Sequence, residues 1–132
     1  MKLMVIGGGG REHAIITKVK EKEFSARPGN GGIAADAVCV PEIGAKDIPA
    51  QVEFAKAHRI DYAVVAPDDP LALGAVDALT EAGIPCFGPD KKAAIIEASK
   101  AFSKDLMKKY GIPTAKYELF TEAEAGPRLR LY

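Results

Sequence analysis

Lys2–His13 reads K-L-M-V-I-G-G-G-G-R-E-H, and the order of its parts decides the fold. A short apolar run, Leu3–Ile6, breaks into four glycines, Gly7–Gly10, and then into a charged segment compatible with a helix. Strand, glycine turn and helix start, in that order, open an α/β sheet. Without side chains, Gly7–Gly10 let a ligand approach the backbone and tolerate φ > 0. The amides of the loop and of the first helical turn lack intrahelical acceptors. They are expected to face outward as an anion site, with phosphate the usual occupant. A plain βα turn needs one or two glycines, and four together cost backbone entropy that such a turn does not require.

The spacing narrows the ligand. A dinucleotide fingerprint places glycines at its first, third and sixth positions. Counting from Gly7 the sixth position is Glu12, and counting from Gly8 it is His13. Both frames fail, and no lysine follows the glycines as a Walker loop requires. The loop therefore reads as a phosphate cradle not built for NAD. Arg11 adds a planar fork of donors suited to phosphate, with a solvated arginine on the helix as the alternative.

The rest of the composition bounds the class. A chain of 132 residues, 48% of them hydrophobic, buries one core, so a single domain or one domain plus a fragment is expected. Basic and acidic side chains number 18 each, so no global field points to nucleic acid or to a membrane surface. The aromatics, four Tyr and five Phe, do not alternate with basic residues, which also speaks against nucleic acid. No apolar stretch approaches a membrane span, and the N-terminus carries no signal-peptide pattern. Cys39 and Cys86 sit far apart in apolar runs without metal-ligand spacing. Buried free thiols in a reducing cytoplasm are the expectation.

Along the chain, Glu12–Glu21 carries Ala14, Ile15, Ile16 and Val19 as a modest one-sided helix. Glu23–Arg27, E-F-S-A-R, is the place for a second strand but is short and barely apolar. Pro28–Gly32, P-G-N-G-G, is a second turn-rich loop, for which a plain surface loop is the alternative reading. Ala37–Val40 reads as a buried strand. A helix starts near Asp47 and runs to about His58, with Val52, Phe54 and Ala55 on its apolar side and Pro49 in its first turn. Tyr62–Val65 reads as a central parallel strand running into Ala66–Pro70, A-P-D-D-P. Leu71–Ala82 is a helix closed by Gly83 and followed by Ile84-Pro85. Cys86-Phe87 is a short strand, Lys91–Ala98 and Lys100–Tyr110 are helical, and Ala115–Phe120 is one more strand. The segment from Ala125 to Tyr132 continues no pattern and is expected to be loosely attached.

Alternating strands and helices imply right-handed crossovers and an open, mainly parallel sheet with helices on both faces. Ligands bind such sheets beyond the carboxyl ends of the strands. Gly7–Gly10, Pro28–Gly32 and Ala66–Pro70 all lie there, so the fold predicts that they converge on one crevice. A phosphosugar suits it. Backbone amides hold the phosphate, while Asn30 and Asp68 or Asp69 take ribose hydroxyls. Helix capping before Leu71 is the competing role for the aspartates, above all for Asp69.

These residues carry a resemblance. G-G-G-G-R-E-H-A, P-G-N-G-G-I-A, A-P-D-D-P-L, F-G-P and S-K-A-F-S-K, in that order from Met1 to about Glu122, are similar to the glycinamide ribonucleotide synthetases. These are phosphoribosylamine–glycine ligases of the ATP-grasp superfamily. The resemblance implies a Rossmann-like pre-ATP-grasp domain over residues 1–90, a helical linker and the start of the ATP-grasp region over 91–124, and an irregular tail over 125–132. It implies a reaction in which ATP phosphorylates the carboxylate of glycine and the amine of phosphoribosylamine attacks the glycyl phosphate, with Mg²⁺ required. Carried over by position, Gly8, Gly9, Gly10, Arg11, Glu12, His13, Pro28, Gly29 and Asn30 lie near the phosphoribosyl group. Pro67 and Asp68 lie near its sugar or amine, and Lys100 matches a lysine placed on the ATP phosphates. Without the resemblance, Lys100 reads as an exposed lysine on a helix.

Three departures stand out. Lys20–Arg27 looks several residues short, which leaves the second strand missing or irregular. Ala66-Pro67-Asp68 replaces the usual Gly-Pro-Glu, with a shorter acid. The chain stops soon after Phe120, before the glycine-rich nucleotide loop and metal-binding acids that the family carries. A truncated or frame-shifted product, unable to catalyse alone, is expected. The competing readings are a self-standing phosphosugar- or nucleotide-binding module and an NAD-binding oxidoreductase fragment. The second is weakened by the failed fingerprint.

Overall fold

Leu3–Ile6 forms the middle of β1 (Lys2–Gly7), which is buried from Leu3 onward. A strand covered on both faces reads as a continuous apolar run, which is why composition alone identifies it. The structure, a computed structural model, describes residues 1–19 and 23–120. It divides into two units, Met1–Ala98 and a second that begins at Ser99.

In the first unit the elements follow as α1 (Gly10–Val19), β2 (Glu23–Pro28), a 3₁₀ turn (Ile33–Ala35), β3 (Val38–Cys39), α2 (Ile48–Ala57), β4 (Tyr62–Val65), α3 (Asp68–Leu73), α4 (Ala75–Glu81), β5 (Cys86–Phe87) and α5 (Lys91–Ala98). The five strands form one sheet in the order β3-β2-β1-β4-β5, with every pairing parallel. From β1 the chain steps outward through β2 and β3, then returns to the other side for β4 and β5. The order thus reverses between β1 and β4. In an open parallel sheet that reversal opens a crevice between the loops that leave the two strands.

Side-chain alternation along β1 divides the core. Met4 and Ile6 join Ala63, Val65, Leu71 and Leu79 on the side of α2 and α4. Leu3 and Val5 join Ile16 and Ile33 on the side of α1 and the 3₁₀ turn. Successive strand residues point to opposite faces, so one six-residue strand anchors both layers.

Several expectations need correction. The second strand is neither missing nor irregular: β2 pairs with β1 along its whole length, from Lys2↔Glu23 to Gly7↔Pro28. Main-chain pairing with a strongly apolar neighbour stabilises it without an apolar run of its own. Lys20–Lys22 lie outside the described residues. Ala37–Val40 is not a buried strand, since β3 has two residues and Val38 is 68% exposed at the sheet edge. The helix expected over Leu71–Ala82 starts at Asp68 and is broken at Gly74, whose φ of 93° ends α3 and begins α4. Only glycine adopts that φ without strain. Cys39 and Cys86 are free and partly exposed, and desolvation pushes the Cys86 thiol above its ordinary range, opposed by a hydrogen bond with Thr80.

Other signals hold. Asp47 caps α2, accepting from the Ala50 amide at 3.2 Å, with Pro49 in the first turn. Gln51, fully buried, donates to the carbonyls of Gly44 (2.9 Å) and Ala45 (2.7 Å) and ties down the loop before α2. Gly83 follows α4 with φ 84°. The first unit runs to Ala98, so α5 belongs with the sheet.

In the second unit, α6 (Lys100–Lys109) is capped by Ser99, whose hydroxyl accepts from the Phe102 amide at 3.2 Å. Ala115–Phe120 forms no strand. Instead Lys104 reaches Thr114 Oγ1 (2.6 Å), and Tyr117 donates to Asp105 (3.4 Å). The irregular tail expected over 125–132 lies outside the described residues. Among the described residues no helix is long and apolar enough to cross a membrane.

Candidate functional site

The register places three loops at one level. Gly7 is opposite Pro28, and Ile6 is opposite Val65. The chain therefore leaves β1, β2 and β4 within one residue of the same height. Gly7–Gly10, Pro28–Gly32 and Ala66–Pro70 meet there, as the sequence predicts.

Contacts between residues distant in sequence lock the loops. The Gly29 amide donates to the Gly7 carbonyl at 3.3 Å. Asn30 Nδ2 donates to the Gly8 carbonyl at 2.6 Å, while its Oδ1 accepts from the Ile33 amide at 2.9 Å. Asn30 thus acts first as a clip between the first two loops. Arg11 Nη1 donates to the Ala66 carbonyl at 3.0 Å, closing the third loop onto α1. His13 packs under Gly32, where an added Cβ would stand 2.8 Å from its Cε1. Its Nε2 lies 3.9 Å from Asp36 Oδ2.

The four glycines have different reasons to be glycine. A Cβ on Gly8 would stand 2.4 Å from the Gly29 carbonyl oxygen. On Gly7, with φ 121°, it would meet Glu12 Cγ at 2.7 Å and Pro67 Cγ at 2.8 Å, and on Gly9 it would meet Glu12 Oε2 at 2.8 Å. On Gly10 it would meet nothing within 4 Å. Packing demands Gly7 and Gly8, Gly9 meets only the end of the Glu12 side chain, and Gly10 leaves an open face.

Glu12 corrects the expected donor set. Its side chain turns back beneath the loop, and Oε2 accepts from the Gly9 amide at 2.6 Å. Gly9 precedes the helix and Glu12 is its third residue, the spacing of a capping box in which the acid reaches back to the N-cap amide. One amide of the expected anion site is thus already occupied. Those of Gly10 and Arg11, at the exposed start of α1, have no protein acceptor among the described residues. A glutamate three positions beyond a glycine N-cap was the available sequence signal for this inward turn.

The third loop has another character. Pro67 occupies the N-cap of α3 without a side-chain cap, and Asp68 and Asp69 stand in the first turn, both exposed. Neither aspartate is the N-cap. Asp69 pairs with Lys46, and that contact raises the lysine pKa. Lys100 is the first residue of α6 and belongs to the second unit. A separate hollow of about 740 Å³ lies by the start of β1, lined by Leu3, Val38, Phe54, His58 and Ile60, and includes none of the loop residues. Among the described residues no cluster of His, Cys, Asp or Glu is able to hold a metal ion.

An open parallel α/β sheet, reversed between β1 and β4, with a glycine loop and helix N-terminus at the reversal, defines a Rossmann-like domain. Residues 1–97 match the model of the phosphoribosylglycinamide synthetase N domain, and the chain belongs to that family. It is 47% identical over 129 residues to the phosphoribosylamine–glycine ligase of Allochromatium vinosum, covering 94% of this chain and 30% of that protein. It is 46% identical over 131 residues to the trifunctional purine biosynthetic protein adenosine-3 of Drosophila melanogaster, covering 93% of this chain and 10% of that one. The crystal structure of phosphoribosylamine–glycine ligase from Thermotoga maritima superimposes with a TM-score of 0.63 at 31% identity, covering 98% of this chain and 30% of that one. A biotin carboxylase domain of a single-chain bacterial carboxylase, 16% identical with a TM-score of 0.64, shares the fold. The chain thus spans about 30% of the length of the ligases it matches.

Proposed function

We propose that this chain is the phosphoribosylamine-binding part of an ATP-dependent ligase joining glycine to 5-phosphoribosylamine in cytoplasmic purine synthesis. The observation that carries the reading is the meeting of three loops at the sheet reversal, around a helix start whose Gly10 and Arg11 amides are open to an anion. Those amides take the 5′-phosphate, with Arg11 as its fixed charge. Asp68, exposed in the first turn of α3, faces the sugar or amine with an acceptor. Gly8, Gly29 and Pro67 shape the floor, and His13 and Asn30 hold the second loop in place.

In the complete reaction ATP converts the glycine carboxylate to an acyl phosphate. The amine of phosphoribosylamine attacks its carbonyl carbon, and phosphate leaves to give glycinamide ribonucleotide. The Lys100 ammonium is suited to neutralise the ATP phosphates. Mg²⁺ would supply further charge neutralisation, from ligands other than the described residues. The described residues are proposed to bind and orient, with catalysis depending on the remaining part of such a ligase. A self-standing phosphosugar module is the alternative.

A graft tests this. Residues 1–97 replace the matching segment of the Allochromatium vinosum ligase, and glycine-dependent ADP release is assayed with phosphoribosylamine. The reading predicts turnover that requires both glycine and the amine. A folded chimera without turnover that still binds ribose 5-phosphate would favour the module instead.

A further inference from the structure

Glu12 is the one charged side chain buried among the described residues, at 3% exposure, and it lies at the ligand edge of the sheet. Its cap is complete through Oε2 alone. The other oxygen, Oε1, is buried and accepts no hydrogen bond, with Arg11 Nε 3.6 Å away. A buried carboxylate oxygen with an ion pair but no hydrogen bond is costly, and capping does not account for it. A glutamate acting purely as a cap can leave its second oxygen in water.

Gly7 and Gly9 pack against the carboxylate, where a Cβ would stand 2.8 Å from its Cδ and 2.8 Å from its Oε2, respectively. Arg11 bridges from Glu12 to the Ala66 carbonyl, yet its side chain is 58% exposed. An anion on the Gly10 and Arg11 amides attracts that guanidinium through charge-assisted bonds, drawing it off Oε1. A phosphate bound beside this carboxylate also meets a like charge, so the loop binds a bare anion less well than its amides alone would allow.

We propose that Glu12 Oε1 accepts a hydrogen bond from a sugar hydroxyl of the ligand. Glu12 thereby makes the glycine loop selective for a phosphate monoester of a sugar over pyrophosphate. This inference rests on the phosphosugar reading above and adds its specificity-determining residue. It also explains the glycine run: Gly7 and Gly9 make room for the acid, Gly8 for the second loop, and Gly10 for the ligand.

Titration calorimetry of the 132-residue chain with ribose 5-phosphate and with pyrophosphate tests it. In the unmodified chain, ribose 5-phosphate binds more tightly. Glu12→Gln weakens ribose 5-phosphate by about tenfold, the loss of one hydrogen bond to a charged group, and strengthens pyrophosphate because a negative charge is removed. The two ligands move in opposite directions. Glu12→Asp keeps the charge but withdraws it, so it weakens ribose 5-phosphate without strengthening pyrophosphate. That variant carries the test if circular dichroism shows Glu12→Gln unfolded. Equal weakening of both ligands in Glu12→Gln, or unchanged ribose 5-phosphate affinity in Glu12→Asp, would overturn the inference and leave the phosphosugar reading standing. No binding of ribose 5-phosphate to the unmodified chain would overturn both.

Discussion

Two corners of one sheet edge solve the same problem with opposite chemistry. At the first, β1 turns into α1 through four glycines, keeps its single carboxylate inside, and leaves amides facing outward. At the second, β4 turns into α3 through Pro67 and leaves two carboxylates, Asp68 and Asp69, in water. The strands are adjacent and parallel, and each loop begins at the same height. The first corner suits an anion and the second suits a donor. Arg11, bonded to Ala66, ties one to the other. A ligand with phosphate at one end and hydroxyl or amine groups at the other matches that polarity, which a dinucleotide fingerprint alone does not describe.

Substitutions at the two corners sharpen the contrast. Gly8→Ala is expected to do most damage. Its Cβ meets backbone at 2.4 Å, and a clash against main chain costs about 1–3 kcal/mol of stability and misaligns the first two loops. Denaturant unfolding and ribose 5-phosphate titration should both show the loss, and an unaffected variant would mean that the loops are not held together. Arg11→Ala should weaken ribose 5-phosphate by about 1–3 kcal/mol, the range for a hydrogen bond to a charged group. Equal affinity by calorimetry would reduce Arg11 to a surface residue. Gly10→Ala should raise stability by about 0.4–1 kcal/mol, since the site is helical and open. It should also lower ribose 5-phosphate affinity by calorimetry, since its methyl enters the open face left for the ligand. Asp69→Asn should change least. Its partner Lys46 is solvent-exposed, so loss of the pair leaves the melting temperature and ligand affinity within error. A clear change in affinity would move the second corner's function from Asp68 to Asp69.

Legibility in the sequence follows the range of the forces involved. β1 was readable because burial on both faces demands an unbroken apolar run, and the start of α2 because Asp47 and Pro49 act within one turn. The convergence of the three loops was readable because it follows from strand order. The place of β2 was readable but its regularity was not, since E-F-S-A-R becomes an even strand by pairing with β1, some twenty residues away in sequence. The break at Gly74 was hidden by a helical pattern that continues on both sides of it. Ala115–Phe120 forms no strand, since an alternating pattern marks a face and does not by itself supply the neighbouring strand. Within the site, the residue types near the crevice were legible, but their orientation was not. Asn30 turns to the Gly8 carbonyl and Glu12 to the Gly9 amide, choices set by how closely two loops approach.

The most direct measurement is residue-resolved amide chemical-shift mapping with ribose 5-phosphate. Saturable shifts at Gly8, Gly10, Arg11, Asn30 and Asp68, with none around Phe54 and His58, are what the phosphoribosyl site requires. Shifts confined to the Phe54–His58 hollow, or no shifts with the sugar phosphate but clear ones with NAD, would contradict it.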